Sequence, residues 1–200
     1  MTKKPQENND RKELFRMVMA LVVTAVVSGF VLGFLSYITA EPIREARDQM
    51  NLEAIKEVIP SEFDNNPFEE KLTITAPDGN GEITLFPARK EGKITAIAIL
   101  SHSDKGFSGK IEVMVGFLMD GTVNTYTVLS HRETPGLGTK ITESKFRDQF
   151  VGLNPERDRF QVKQDGGDID AITAATISSR AVVDAIARAY EAYNKFKTGN

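Results

Sequence analysis

Cysteine is missing from all 200 residues. That removes disulfides, thiol nucleophiles, thiolate zinc sites and cysteine-ligated iron–sulfur clusters. An electron carried by this chain must then ride on a bound cofactor, because side chains other than thiols offer little redox chemistry. Histidine is nearly as scarce, with only His102 and His131. Neither lies in a nucleophile-elbow context, so a hydrolase built on a Ser or Thr nucleophile would lack its base, and His131 reads as a residue of its turn or of a cofactor's flank. No basic tract stands out either: 25 Lys and Arg face 28 Asp and Glu, for a net charge of −3. A nucleic-acid partner is not expected from such a balance. Internal repeats and low-complexity tails are also absent.

Charge disappears altogether over residues 17–39 (MVMALVVTAVVSGFVLGFLSYIT). As a helix these residues span about 35 Å, slightly more than a bilayer's hydrocarbon core. The run is too long for a signal-peptide core, and no convincing small-x-small cleavage site follows, so the expectation is a retained anchor. Lys3, Lys4, Arg11, Lys12 and Arg16 precede it, against Arg44 and Arg47 after it. Positive-inside bias then puts the N-terminus in the cytoplasm and the remainder outside a cell membrane. Ala25, Gly29 and Gly33 share one helix face. The Gly29-x-x-x-Gly33 spacing either lets a second membrane helix approach or reflects the ordinary abundance of glycine in such helices.

The exterior part divides by pattern. Residues 41–59 read as a helix that continues the anchor as a stalk, with Pro42 suited to a first turn and Pro60 as its stop. Residues 60–81 are rich in turn formers and read as a connection. Residues 82–87, 93–100, 110–119 and 122–130 carry β-branched and apolar runs. Alternation of Ile111, Val113, Val115, Phe117 and Met119 suits a sheet with one buried face, and Asp120-Gly121 a tight hairpin turn. Phe146 and Phe150 mark a short helix near 142–151. The last helix is expected from about Ser179 to Lys197, burying Val182, Val183, Ile186 and Tyr190 and leaving Arg180, Asp184, Arg188 and Glu191 wet. The expected class is α+β: one transmembrane helix, then one extracytoplasmic domain with an antiparallel sheet flanked by helices. The boundaries are 1–16 for the cytoplasmic N-terminus, 17–39 for the anchor, 40–60 for the stalk and 61–200 for the domain.

Two stretches carry chemistry. In His131-Arg132-Glu133-Thr134-Pro135-Gly136-Leu137-Gly138-Thr139-Lys140, Pro-Gly signals a type II turn, and the second glycine permits close backbone approach. A surface turn and a ligand-side loop would look alike here. In the second stretch, residues 165–179 (DGGDIDAITAATISS), Asp165, Asp168 and Asp170 lack calcium-hand spacing and read as a solvated acidic turn. Four hydroxyls then crowd a helix start: Thr173, Thr176, Ser178 and Ser179. They fit simple N-capping, and they fit an anion seat for a phosphate at a helix N-terminus.

Taken together, the anchor, H-x-E-T-P-G-L-G, and the run G-G-D-x-D-x-x-T-x-A-T-x-S-x-R-A-V resemble the G subunit of the Rnf (Rsx) ion-translocating electron transport complex. The resemblance covers the chain from anchor to terminal helix. It implies an FMN bonded covalently, as a phosphoester, to Thr176, attached by a flavin transferase that reads the second motif. Asp170 and Thr173 match the motif's earlier positions. By the same resemblance, cofactor contacts fall on Thr173, Ala175, Ser178 and Ser179 around Thr176, and on Thr134, Leu137, Gly138 and Lys140 from the first stretch. The chain would be an electron carrier completing no reaction alone, within a complex that passes electrons between ferredoxin and NAD and moves ions. Its partners would be other membrane subunits, with Gly29 and Gly33 as the contact face. Ala174 departs from the pattern, standing where the family usually has glycine. The C subunit of the sodium-translocating NADH:quinone reductase shares the attachment chemistry and is the nearest alternative, though the GGD-x-D and RAV flanks favour the Rnf type. A non-redox module docking on membrane partners is the alternative of another class.

Overall fold

The computed structural model describes residues 6–60, 62–76 and 79–199, with side chains from Arg11 onward. Lys3 and Lys4 of the charge asymmetry, and Ser61, Pro77 and Asp78 of the connection, lie outside the described residues. The chain separates into two compact units, Met1–Gln49 and Met50–Asn200.

One helix, α1 (Gln6–Val58), supplies nearly all of the first unit and the opening of the second. Its apolar stretch is long enough to cross a membrane, and the large side chains there, such as Leu21, Phe30 and Leu32, are exposed. Pro42 lies inside this helix instead of opening a new one. Its ring lacks an N–H, so one rung of the helical ladder is forfeited there while the helix continues.

The second unit is built on five antiparallel strands in the order β1-β2-β3-β4-β5. They are β1 (Leu72–Thr75), β2 (Glu82–Lys90), β3 (Lys93–Gly106), β4 (Gly109–Leu118) and β5 (Val123–Ser130). Asp120-Gly121 closes the β4–β5 turn, with Gly121 at φ 85° and its N–H donating to the Leu118 carbonyl at 2.9 Å. Strand β1 falls within the stretch read as a connection. Its Leu-Thr-Ile-Thr is short and mostly exposed, and pairing with β2 (Leu72 opposite Leu85) makes it a strand. Strands β2 and β3 also run beyond their apolar cores, to Lys90 and Gly106, because ladder partners continue there.

Both faces of the sheet are buried, where alternation suggested one. On the first face Ile97, Ile99, Ile111, Val113, Val115 and Phe117 pack against α3 (Thr176–Thr198) through Val182, Ile186, Ala189 and Tyr193. Small residues alternate with larger ones on the second face, where Phe86, Ala88, Ala96, Ala98 and Met114 receive Ala54, Ile55 and Val58 from the end of α1. A Cβ at Gly116 would lie 2.0 Å from the Val58 carbonyl oxygen, so the helix sits directly on that strand's backbone. Asn124 Nδ2 donates to the same carbonyl at 2.7 Å, satisfying an acceptor that the helix end leaves open.

Between β5 and α3 the chain is mostly turns. The helix expected near 142–151 is a relay of a 3-10 turn (Gly138–Thr142), α2 (Ser144–Arg147) and a second 3-10 turn (Asp148–Phe150). Phe146 and Phe150 are its buried anchors, and Tyr126 meets Phe150 edge-on at 5.2 Å. The last helix begins at Thr176, three residues earlier than its apolar stripe suggests. Arg188 is buried, not wet. Its Nη2 donates to the Asn80 carbonyl at 2.6 Å, which lets the long side chain lie along the core edge.

Candidate functional site

Thr176 is the first residue of α3, and that helix opens without a side-chain cap. The preceding Ala175 has no hydroxyl to offer, and the first turn holds no acidic residue. The first intrahelical bond runs from the Ser179 N–H to the Ala175 carbonyl at 3.0 Å. Among the described residues, no protein acceptor meets the N–H groups of Thr176, Ile177 and Ser178. Three free donors at the positive end of a 23-residue helix make a seat for an anion.

The hydroxyls that could have capped the helix are engaged elsewhere. Ser179 is fully buried; its Oγ accepts from the Ile172 N–H and donates to the Ala175 carbonyl, both at 3.0 Å. It therefore folds the loop back onto the helix. Ser178, also buried, donates its hydroxyl to Glu133 Oε2 at 2.5 Å. Thr176 is half-buried and its hydroxyl has no protein partner among the described residues. Ala174 holds φ 62°, the left-handed conformation in which a glycine would be unstrained, and this bend precedes Thr176 by two residues.

The first motif faces this helix start. Thr134-Pro135-Gly136-Leu137 is a turn closed from the Leu137 N–H to the Thr134 carbonyl at 3.2 Å, with Gly136 at φ 74°. His131 belongs to this turn, where its Nδ1 accepts from the Glu133 N–H at 3.2 Å. Tyr126 donates its hydroxyl to the Ile141 carbonyl at 2.6 Å and so fixes the following 3-10 turn to the sheet; burial pushes that phenol far above its ordinary pKa. Gly138 is required by contact, since a Cβ there would stand 2.6 Å from Glu133 Oε2 and 2.8 Å from Ser178 Oγ.

Together these segments enclose a cleft of about 280 Å³ around Thr176, lined by Thr134, Leu137, Gly138, Ala175 and Ser178 among the residues expected from sequence. Phe107, Glu133 and Ile177 join them without having been foreseen. Phe107 tips the β3–β4 hairpin between Gly106 and Ser108, and an apolar residue at such a tip was the available signal. Phe107, Leu137 and Ile177 are 67%, 42% and 47% exposed, so three large apolar side chains stand open around one hydroxyl. Lys140 and Thr173 line a neighbouring, larger cleft of about 540 Å³ with Glu143, Gln149 and Asp170. That cleft does not contain Thr176.

The acidic loop ahead of the site is paired throughout. Arg159 meets Asp168 at 2.9 Å, Lys163 meets Asp170 at 2.8 Å, and Arg180 forks onto Asp165. The Arg180 hydrogen bond holds the Asp165 carboxyl below the usual carboxylate range. Among the described residues no cluster of His, Asp and Glu has the form of a metal site.

An FMN fits this arrangement. The free N–H groups suit its phosphate, and the open apolar side chains suit a flat ring. The match to a family model points the same way. Residues 106–191 match the family model of the FMN-binding domain. The G subunit of the ion-translocating oxidoreductase complex of Vibrio cholerae is 34% identical over 186 residues, covering 88% of each chain. Its counterpart of the same name from Methanosarcina acetivorans is 32% identical over 179 residues, covering 89% of this chain and 93% of that one. Among solved structures, the C subunit of the Na(+)-translocating NADH-quinone reductase from Parabacteroides distasonis superposes with a TM-score of 0.45 at 21% identity, over 68% of this chain and 71% of that one. At a third of positions identical across nearly the whole length of both chains, this protein belongs to the family of the G subunit of the ion-translocating oxidoreductase complex.

Proposed function

We propose that this chain is the membrane-anchored electron carrier of an Rnf-type ion-translocating complex, with one FMN bonded through its phosphate to Thr176 Oγ1. The observation that carries the reading is the free hydroxyl of Thr176 at the uncapped start of α3, inside a cleft walled by Phe107, Leu137 and Ile177. The flavin, when bound, accepts and releases electrons one or two at a time. The protein's part is to hold it. The N–H groups of residues 176–178 take the phosphate's negative charge. The apolar walls keep water from one side of the ring, and Thr134 offers the rim a polar group. A covalent tether also prevents loss of the cofactor outside the cell.

The apolar stretch of α1 is the proposed anchor, with the N-terminus cytoplasmic and the flavin domain outside, as the lysines and arginines ahead of residue 17 support. Gly29 and Gly33 are the proposed contact face for another membrane protein of the complex; a Cβ at either meets nothing within 4 Å, leaving that face open to a second helix. In the complex the carrier would relay electrons between neighbouring subunits while ions are moved elsewhere.

The test is intact mass of the full-length chain co-expressed with a flavin transferase, followed by peptide mapping. A gain of one FMN less water on the peptide containing Thr176 is expected. Thr176→Val should lose the adduct and keep its circular dichroism and unfolding transition. Covalent FMN retained in that variant, or found on another residue, would overturn the assignment.

A further inference from the structure

Glu133 is the only ionisable residue among the ten that line the Thr176 cleft. The residue is 5% exposed, and its carboxylate enters no ion pair among the described residues. It is held instead by neutral donors: Oε1 accepts from the Ser108 N–H at 3.1 Å and Oε2 from the Ser178 hydroxyl at 2.5 Å. Two glycines make room for it. A Cβ at Gly106 would lie 2.8 Å from Oε1, and one at Gly138 would lie 2.6 Å from Oε2. One carboxylate thereby ties together the β3–β4 hairpin, the Thr134–Leu137 turn and the first turn of α3, the three segments that form the cleft. The positive end of α3 offsets part of its charge. Among the described residues no cation pairs with it, and a charge beside apolar side chains is screened less than one in bulk water.

We infer that Glu133 is a positioning residue that also lowers the reduction potential of the flavin in this cleft, by holding a fixed negative charge beside it. The inference rests on the flavin reading above. Reduction adds electron density to the ring, and a buried carboxylate in the same cleft disfavours it; the oxidised form gains by comparison. Scaffolding alone would affect folding or flavin loading without moving the potential in a set direction.

The experiment is a spectroelectrochemical titration of the full-length chain in detergent, loaded by co-expression with a flavin transferase, in wild type and Glu133→Gln. Glutamine keeps the shape and an acceptor for Ser108 while removing the charge. Glu133→Met, uncharged and of similar length, repeats the reading should the amide fail to fold. The expected result is an intact FMN adduct with the midpoint shifted upward in the uncharged variant. A loaded variant whose midpoint matches or lies below wild type overturns the role of the charge. Wild-type protein that carries no flavin at all sinks the functional reading itself, and this inference with it.

Discussion

Both arms of the Arg180 guanidinium meet the Asp165 carboxylate, Nε to Oδ2 and Nη2 to Oδ1, each at 2.7 Å. The pair fastens the first turns of α3 to the turn that precedes the loop carrying Asp170 and Thr173. Geometry of this bidentate kind restricts orientation as well as distance. It is also half-exposed, so its worth lies more in ordering the loop than in global stability.

A pH dependence follows. The folded-state pKa of Asp165 is depressed, mainly by the Arg180 hydrogen bond. A depressed acid contributes stability above the unfolded carboxylate range and loses it as pH falls through the folded value. Asp165→Asn should therefore melt below wild type at neutral pH, with the gap closing in acid. Thermal unfolding of the two proteins across that range checks it; a gap that widens in acid would count against the pair.

Ala174 predicts a gain. A non-glycine residue at φ 62° costs about 1–2 kcal/mol. Ala174→Gly should remove that strain, lose part of the benefit to the freer unfolded chain, and still raise stability by about 1 kcal/mol. Ala175→Gly, at φ −139°, relieves nothing and should lower stability. Urea unfolding of the two variants separates them. The glycine variant should also take up FMN at least as readily, because the bend ahead of Thr176 is then held without strain.

Ser179→Ala removes both the acceptor of the Ile172 N–H and the hydroxyl bridging to the Ala175 carbonyl. A loss of about 2 kcal/mol is expected, chiefly for leaving the Ile172 N–H without its acceptor, while the Ala175 carbonyl keeps its bond from the Ser179 N–H. Ser179 does not line the cleft, so the variant should still form the FMN adduct once folded. Adduct lost in a well-folded Ser179→Ala protein would mean that the hydroxyl contacts the cofactor after all.

Gly116→Ala tests the second face of the sheet. The added methyl would meet the Val58 carbonyl oxygen at 2.0 Å, which backbone can relieve only by lifting the end of α1 from β4. Destabilisation of about 3 kcal/mol is expected, at the upper end for overpacking. Denaturant titration would show it, and an unchanged midpoint would mean that the helix end does not rest on β4.

The anchor, the two motifs, the β4–β5 turn and the buried stripe of α3 were all legible along the chain, because each depends on neighbours within a few residues. Charge-free length defines the anchor, Asp120-Gly121 the turn, and a 3.6-residue period the stripe. The resemblance located Thr176 in the same way, from consecutive residues. Whether the hydroxyls around it are caps or ligand contacts was undecided locally, since both uses favour Ser and Thr at a helix start. Tertiary structure shows where each hydroxyl is engaged: Ser179 with Ile172, Ser178 with Glu133, and Thr176 with no protein partner among the described residues. The second buried face was hidden for a related reason. Small residues such as Ala96, Ala98 and Gly116 carry little hydrophobic signal, yet they allow the end of α1 to settle on the sheet. Phe107 and Glu133 were invisible as partners because 25 residues of strand and turn separate Ser108 from Glu133. Sequence determines which chemistry each residue can offer; only the antiparallel return of β4 and β5 decides which of those residues face one another across the cleft.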